Sequence, residues 1–158
     1  MYKDNSPVLF GVDTQLVDWM RRIRRHIHAN PELSFREHET ARFIEDKLGE
    51  LDIPFESGVA GTGVVADIAS SASAAAAVAL RADMDALPVT EETGLPFSSR
   101  RPGIMHACGH DGHVAMLLGA AALLVRRQLP GRVRLLSLYT ITMVCTSQIS
   151  SSSLEIHI

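Results

Sequence analysis

His106-Ala107-Cys108-Gly109-His110-Asp111-Gly112-His113 runs directly into Val114-Ala115-Met116-Leu117-Leu118-Gly119-Ala120-Ala121-Ala122-Leu123-Leu124. The first stretch gathers three imidazoles, a thiol and a carboxylate. The second is apolar throughout and reads as a buried helix, expected to reach about Gln128. Soft and borderline ligands that lead into a helix N-terminus are the sequence pattern of a metal site. Cys108 and His110 stand two apart, so their side chains converge only if the backbone bends at Gly109. Asp111 is placed either to orient a ligating histidine or to cap the helix. His106 and His113 are equally open to a role as ligand, substrate contact or packing residue.

Upstream, Ala76, Val78 and Leu80 enter a strand that runs into Arg81-Ala82-Asp83-Met84-Asp85-Ala86-Leu87-Pro88. Two carboxylates at the C-terminal end of a strand, ahead of a proline, sit where open α/β sheets collect ligands and catalytic groups. A capped turn with solvated aspartates explains the same residues. Pro88 to Gly103 is irregular and suits an active-site loop.

Asp13 caps a helix expected over 14–29, with Leu16, Met20, Ile23 and Ile27 on one face. Arg21, Arg22, Arg24 and Arg25 then form a solvated face, and Asn30-Pro31 ends the helix. A second helix is expected over 37–50, with Ala41, Ile44, Leu48 and Leu51 periodic. Gly58, Gly61 and Gly63 read as hairpin punctuation rather than a phosphate loop, because no strand signal precedes them and no helix follows. Val64 to Ile68 is a short strand, Ser70 to Ala77 a loose hairpin connection, and Arg132 opens a last strand after Pro130-Gly131. This order predicts an α/β domain of three layers, α/β/α, with an antiparallel hairpin at one side of a mixed sheet.

At 158 residues with 46% hydrophobic content, the chain has the size and composition of one globular domain. A formal net charge of −3 argues against nucleic acid or an anionic membrane as partner. Two cysteines, Cys108 and Cys145, make no disulfide framework and fit a reducing compartment. No secretory signal and no apolar run of the roughly 20 residues a span needs is present, so the expected location is cytoplasmic.

Three segments, Arg25-His26-Ile27-His28-Ala29-Asn30-Pro31-Glu32-Leu33-Ser34-Phe35, Leu80 to Pro88 and Met105 to His113, occur in this order. Together they resemble the amidohydrolase branch of the M20 metallopeptidases, which includes hippurate hydrolases and indole-acetyl-amino-acid hydrolases. The resemblance covers about residues 14–136. It implies the N-terminal part of a di-metal exopeptidase-like catalytic domain and cleavage of the amide of N-acyl or N-aroyl amino acids. Two divalent ions (Mn, Zn, Co or Ni) and a homo-oligomeric full-length form are implied with it. On that resemblance Cys108 matches a bridging metal ligand and His110 a terminal one. Asp85 matches the catalytic-site aspartate that, in related branches, sits beside a metal-binding histidine and orients it. Asp83 stands where related branches place that histidine and is not assigned as a ligand. Glu32 and Arg81 belong to the pattern without an assigned role.

Beyond Leu136 the resemblance stops. The family continues with a Gln-Pro-Ala-Glu-Glu-like run whose glutamates supply the general base and a ligand. Here Ser137-Leu138-Tyr139-Thr140-Ile141 follows, and Glu155 is the last acid. Residues 137–158 are therefore expected to be an atypical, frameshifted or truncated tail, and the chain alone is expected to be inactive. The rival expectation is a non-catalytic domain in which the Cys/His stretch binds a single structural or regulatory metal.

Overall fold

The computed structural model describes residues 14–68 and 77–139. Helix α1, Thr14–Ala29, buries Ile23 and Ile27 from its apolar stripe, and Asn30-Pro31 follows it directly. Helix α2, His38–Glu50, buries Ala41, Ile44 and Leu48 at three- and four-residue steps. Its N-cap residue, Glu37, makes no side-chain cap bond. Glu32 caps the helix instead: its Oε2 accepts from the Glu39 N–H at 3.0 Å, the Thr40 N–H at 2.8 Å and Thr40 Oγ1 at 2.9 Å. The family-pattern glutamate thus has a structural job, satisfying donors that a helix start leaves unpaired.

Strand β1, Phe55–Val59, pairs antiparallel with β2, Gly63–Ile68, with Phe55 opposite Ala66. A strand does precede the glycine turn, contrary to expectation. Four of its five residues are exposed, so it lacks the apolar alternation that marks a strand in sequence. The turn itself is a hairpin, as its glycines suggest. Gly63 is required there because a Cβ would lie 2.4 Å from the Val59 carbonyl oxygen.

Strand β3, Ala77–Asp83, and strand β4, Arg132–Leu138, complete a mixed sheet of order β1-β2-β4-β3. β4 lies antiparallel to β2 and parallel to β3. Since β4 separates β2 from β3, the link between those two strands is not a hairpin connection; residues 69–76 themselves lie outside the described residues. β4 also runs two residues beyond the expected boundary at Leu136. Ser137 pairs with Val64 and Ala82, and Leu138 with Asp83. Of the expected atypical tail, residues 140–158 lie outside the described residues.

Val64, Ala66 and Ile68 share one face with Leu135 and Ala82, and this face meets the helices. Ile23 and Ile27 of α1, Ile44 and Leu48 of α2, and Val114, Leu118 and Ala121 complete one core. The last three come from α3, His110–Leu124, which is apolar all round and packs between α1 and the sheet. It ends four residues short of Gln128, and Arg126 and Arg127 beyond it are exposed. The opposite sheet face carries Val65, Leu136 and the Asp67–Arg134 ion pair, whose two bonds measure 2.9 and 2.8 Å. None of these residues joins the core, so the described residues supply a mixed α/β sheet with helices packed on one face.

Candidate metal centre

The parallel pair β3–β4 and the N-terminus of α3 put the Leu80–Pro88 and Met105–His113 segments side by side. Leu87 and Met105 exchange backbone bonds of 2.9 and 3.0 Å, which ties the strand exit to the Cys/His stretch. The first segment joins through the Ala86 N–H, which donates to the Glu32 carbonyl at 2.7 Å. Three stretches far apart in sequence therefore meet at one strand end.

Gly109 takes a left-handed φ of +89°, the bend that Cys108 and His110 require. The turn drives His110 inward, to 7% exposure, while Cys108 stays exposed as a free thiol. The His110 Nδ1–H donates to the Asp85 carbonyl at 2.8 Å, and Asp85 Oδ1 lies 3.2 Å from the same nitrogen. That arrangement fixes the tautomer and leaves Nε2 without a proton, with a lone pair able to accept a proton or a metal ion. Asp85, 2% exposed, is itself held by Ser34 Oγ at 2.6 Å. Asp85 therefore contacts a histidine, His110, and not a residue at position 83, where related branches place the histidine that this aspartate orients.

Among the described residues, the group that gathers possible metal-ligating atoms is Asp83, His110 and His113, whose ligand atoms all lie within 4.8 Å of one another. Cys108 is not a member of this group. Asp83 comes from the end of β3. His110 and His113 share one side of α3 through their three-residue spacing, with ring centroids 5.3 Å apart. That spacing was visible in sequence; what β3 would bring opposite it was not.

Next to this group lies a buried polar cluster that no sequence pattern announces. Asp111, fully buried, neither caps α3 nor bonds His110. Its Oδ2 accepts from Arg24 Nε at 3.1 Å and lies 2.9 Å from His28 Nδ1. The other His28 nitrogen, Nε2, lies 3.2 Å from Glu91 Oε1 in the irregular segment. Burial works against the Glu91 carboxylate charge, but bonds from Thr93, the Ser99 N–H and His28 outweigh it and hold the group down at about 2. The arginine face of α1 is accordingly not purely solvated: Arg24 reaches Asp111, and the Arg25 guanidinium lies 4.9 Å from the Phe97 ring centre.

His106 is 3% exposed, and neither of its ring nitrogens has a partner among the described residues. Burial is the main cause that lowers its pKa to about 4, with the charges of His28 and His110 adding to it against Asp111 and Asp85. The two imidazoles and the carboxylate that lie together make a donor set of a type suited to divalent transition metals, with the Cys108 thiol exposed outside it.

The model of peptidase family M20/M25/M40 matches residues 79–139, the stretch that holds β3, the Cys/His motif, α3 and β4. Over 137 residues the chain is 51% identical to the N-acetyl-L-cysteine deacetylase of Bacillus subtilis, covering 85% of this chain and 32% of that protein. The chain belongs to the M20 peptidase family. It is also 50% identical over 125 residues to thermostable carboxypeptidase 1 of Saccharolobus solfataricus, covering 77% of this chain and 32% of the relative. Among solved structures it superposes on the Bacillus subtilis YXEP protein, described as a dinuclear metal-binding peptidase of this family. That match has a TM-score of 0.76 and 42% identity, and covers 79% of this chain and 36% of the other. The chain spans about a third of the length of these relatives. Its family is one of metal-dependent hydrolases, and the mixed α/β sheet described above is the family's fold.

Proposed function

We propose that this M20 chain supplies one wall of a two-metal centre that hydrolyses the amide bond of N-acyl or N-aroyl amino acids. The observation that carries the reading is the meeting of three motif segments at His110 in a chain half identical to a deacetylase of N-acetyl-L-cysteine. Cys108 and His110 are the proposed ligands, and two divalent ions drawn from Mn, Zn, Co and Ni are the proposed cofactors. Bound there, such ions lower the pKa of their water toward 7 and polarise a substrate carbonyl. Asp85 is a positioning residue: its carbonyl accepts the His110 Nδ1–H and keeps Nε2 directed at the site.

No general base is proposed within this chain. Among the described residues, the glutamates buried nearby are committed elsewhere. Glu32 caps α2, Glu37 accepts from Thr62 Oγ1 at 2.7 Å, and Glu91 holds His28 and the Ser99 N–H. Loss of a general base costs about 10²–10⁴-fold in rate, so the 158-residue chain alone is proposed to be inactive. A cytoplasmic location and a homo-oligomeric full-length form are proposed with it, the first resting on the sparse cysteines and the second on the family resemblance.

The test replaces the matching N-terminal stretch of the Bacillus subtilis deacetylase with residues 14–138 of this chain. The chimera should release acetate from N-acetyl-L-cysteine or benzoate from hippurate, and Cys108→Ser should abolish that release. The unsupplemented chain should show no turnover with any of the four metals. Turnover by the chain alone, or a chimera indifferent to Cys108→Ser, refutes the reading.

A further inference from the structure

We propose that the groove between the start of α1 and the ends of α2 and α3 binds a small organic phosphate, through three arginines that hold the phosphate and an apolar wall that covers its body. The groove is remote from the metal centre. His110 opens α3, whereas Leu123, which lines the groove, is thirteen residues further along the same helix, about 20 Å away at 1.5 Å per residue. The proposal does not use the hydrolase reading, so either can fail without the other.

The groove has a volume of about 680 Å³, within the range of small-molecule sites. Leu16 and Trp19 of α1, Leu51 after α2 and Leu123 of α3 give it an apolar wall. Arg22, Arg126 and Arg127 also line it. Of the four arginines on α1, Arg21 pairs with Asp18, Arg24 with Asp111, and Arg25 lies over the Phe97 ring. The fourth, Arg22, has no side-chain acceptor among the described residues, and neither do Arg126 and Arg127. Glu50 is the one acid in the lining, and its carboxylate is taken by Lys47. Three guanidinium groups therefore surround one concave site with no uncommitted carboxylate to neutralise them.

The helix ends act in both directions. α1 carries no acidic residue in its first turn, so its positive end, at Gln15 and Leu16, favours an anion. The C-terminal carbonyls of α2 and α3 oppose one. Full charges on three arginines outweigh those partial charges, and an arginine fork matches phosphate oxygens in charge-assisted, paired bonds. An apolar body completes the fit. Inorganic phosphate would leave the Leu/Trp wall uncovered, and a neutral aromatic compound would leave the guanidinium groups unpaired.

Trp19 is the only tryptophan in the chain, so its emission reports on the groove directly. The full 158-residue chain is titrated with phenyl phosphate, with inorganic phosphate and with benzyl alcohol, exciting Trp19 at the red edge of its absorption, where all three are transparent. Phenyl phosphate should give a saturable change. Inorganic phosphate should bind at least about tenfold more weakly, and benzyl alcohol should give no saturation. Replacing Arg126→Gln and Arg127→Gln together should weaken phenyl phosphate binding at least about tenfold. Arg36→Gln with Arg42→Gln removes the same charge from exposed positions outside the groove and should leave the affinity unchanged. Absence of saturation by phenyl phosphate, equal affinity for inorganic phosphate, or equal weakening by the two double variants overturns the proposal. Should the Arg126/Arg127 variant fail to fold, thermal unfolding of the unaltered chain decides. Phenyl phosphate should raise Tm more than inorganic phosphate or benzyl alcohol at the same concentration, and an equal or absent rise overturns the proposal.

Discussion

Replacing Glu32 should unfasten helix α2 from outside. Glu32 is 5% exposed and lies six residues before the helix, yet one of its oxygens receives the Glu39 N–H, the Thr40 N–H and Thr40 Oγ1. In Glu32→Ala, the Thr40 N–H and hydroxyl are left buried with no acceptor. Loss of a helix N-cap costs about 1–2 kcal/mol, and bonds to a charged acceptor contribute about 1.5–3 kcal/mol each. Water can reach the Glu39 end but not buried Thr40, so the expected loss is about 3 kcal/mol, or roughly 10 °C in Tm. Arg101 Nη1, 3.5 Å from Glu32 Oε1, is a third exposed and adds little, at most about 1 kcal/mol. Glu32→Gln keeps an acceptor oxygen and gives up the charge, so it should lose about 1 kcal/mol. Urea unfolding followed by far-ultraviolet circular dichroism measures all three proteins. If Glu32→Ala lies within about 0.5 kcal/mol of the parent, or matches Glu32→Gln, Glu32 is not acting as an external cap.

Asp111→Ala removes the acceptor that Arg24 and His28 share in a fully buried position; a destabilisation of about 3 kcal/mol is expected in the same unfolding assay, while Arg24→Ala, at an exposed donor, should cost under about 1 kcal/mol. The Glu91 carboxylate titrates lower in the folded chain than in the unfolded one, so its contribution is complete above about pH 4.5 and fades as pH falls toward about 2. The stability difference between the parent and Glu91→Gln should therefore shrink across that window; a constant difference would show that the carboxylate charge is not what ties the irregular segment to His28. Gly63→Ala places a Cβ 2.4 Å from the Val59 carbonyl and 2.5 Å from Leu138 Cδ2, so the β1–β2 hairpin must shift; a loss of about 2 kcal/mol or more in chemical unfolding is expected, against little or none for Gly49→Ala, where nothing lies within 4 Å.

The three helices were legible because their apolar residues recur at helical steps or, in α3, without interruption. Strands β2, β3 and β4 were legible as short apolar runs. Strand β1 was not, since Glu56, Ser57 and Gly58 are exposed on an edge strand whose pairing is dictated by β2 rather than by its own pattern. The insertion of β4 between β2 and β3 could not be read from local patterning, because strand order is set by how the whole sheet buries one face against the helices. At the site, the motifs single out His110 and Asp85, but that the two touch each other is a matter of how β3 and α3 pack. The nearness of Asp83 to His113 depends on the β3 exit facing the first turn of α3, and the His28–Asp111 contact joins residues 83 positions apart. Glu32 and Asp111 show the same limit: each carries a motif position in sequence, but its physical role appears only once its partners are placed.

The position of β4 in the sheet has a consequence for how the chain is made. It is the last of the described strands to be synthesised, yet it supplies every hydrogen bond that joins the β1–β2 hairpin to β3. Until residues 132–138 leave the ribosome, no strand hydrogen bonds join the two halves of the sheet, and β2 and β3 each present an unpaired edge. Its pairings with β2, from Ile68 with Val133 to Val64 with Ser137, are non-local, which places the slow step of folding after the other described strands have been synthesised. During that interval the apolar run of α3 has only part of its eventual shelter, and the nascent chain is most vulnerable to joining the edge of another molecule instead of its own.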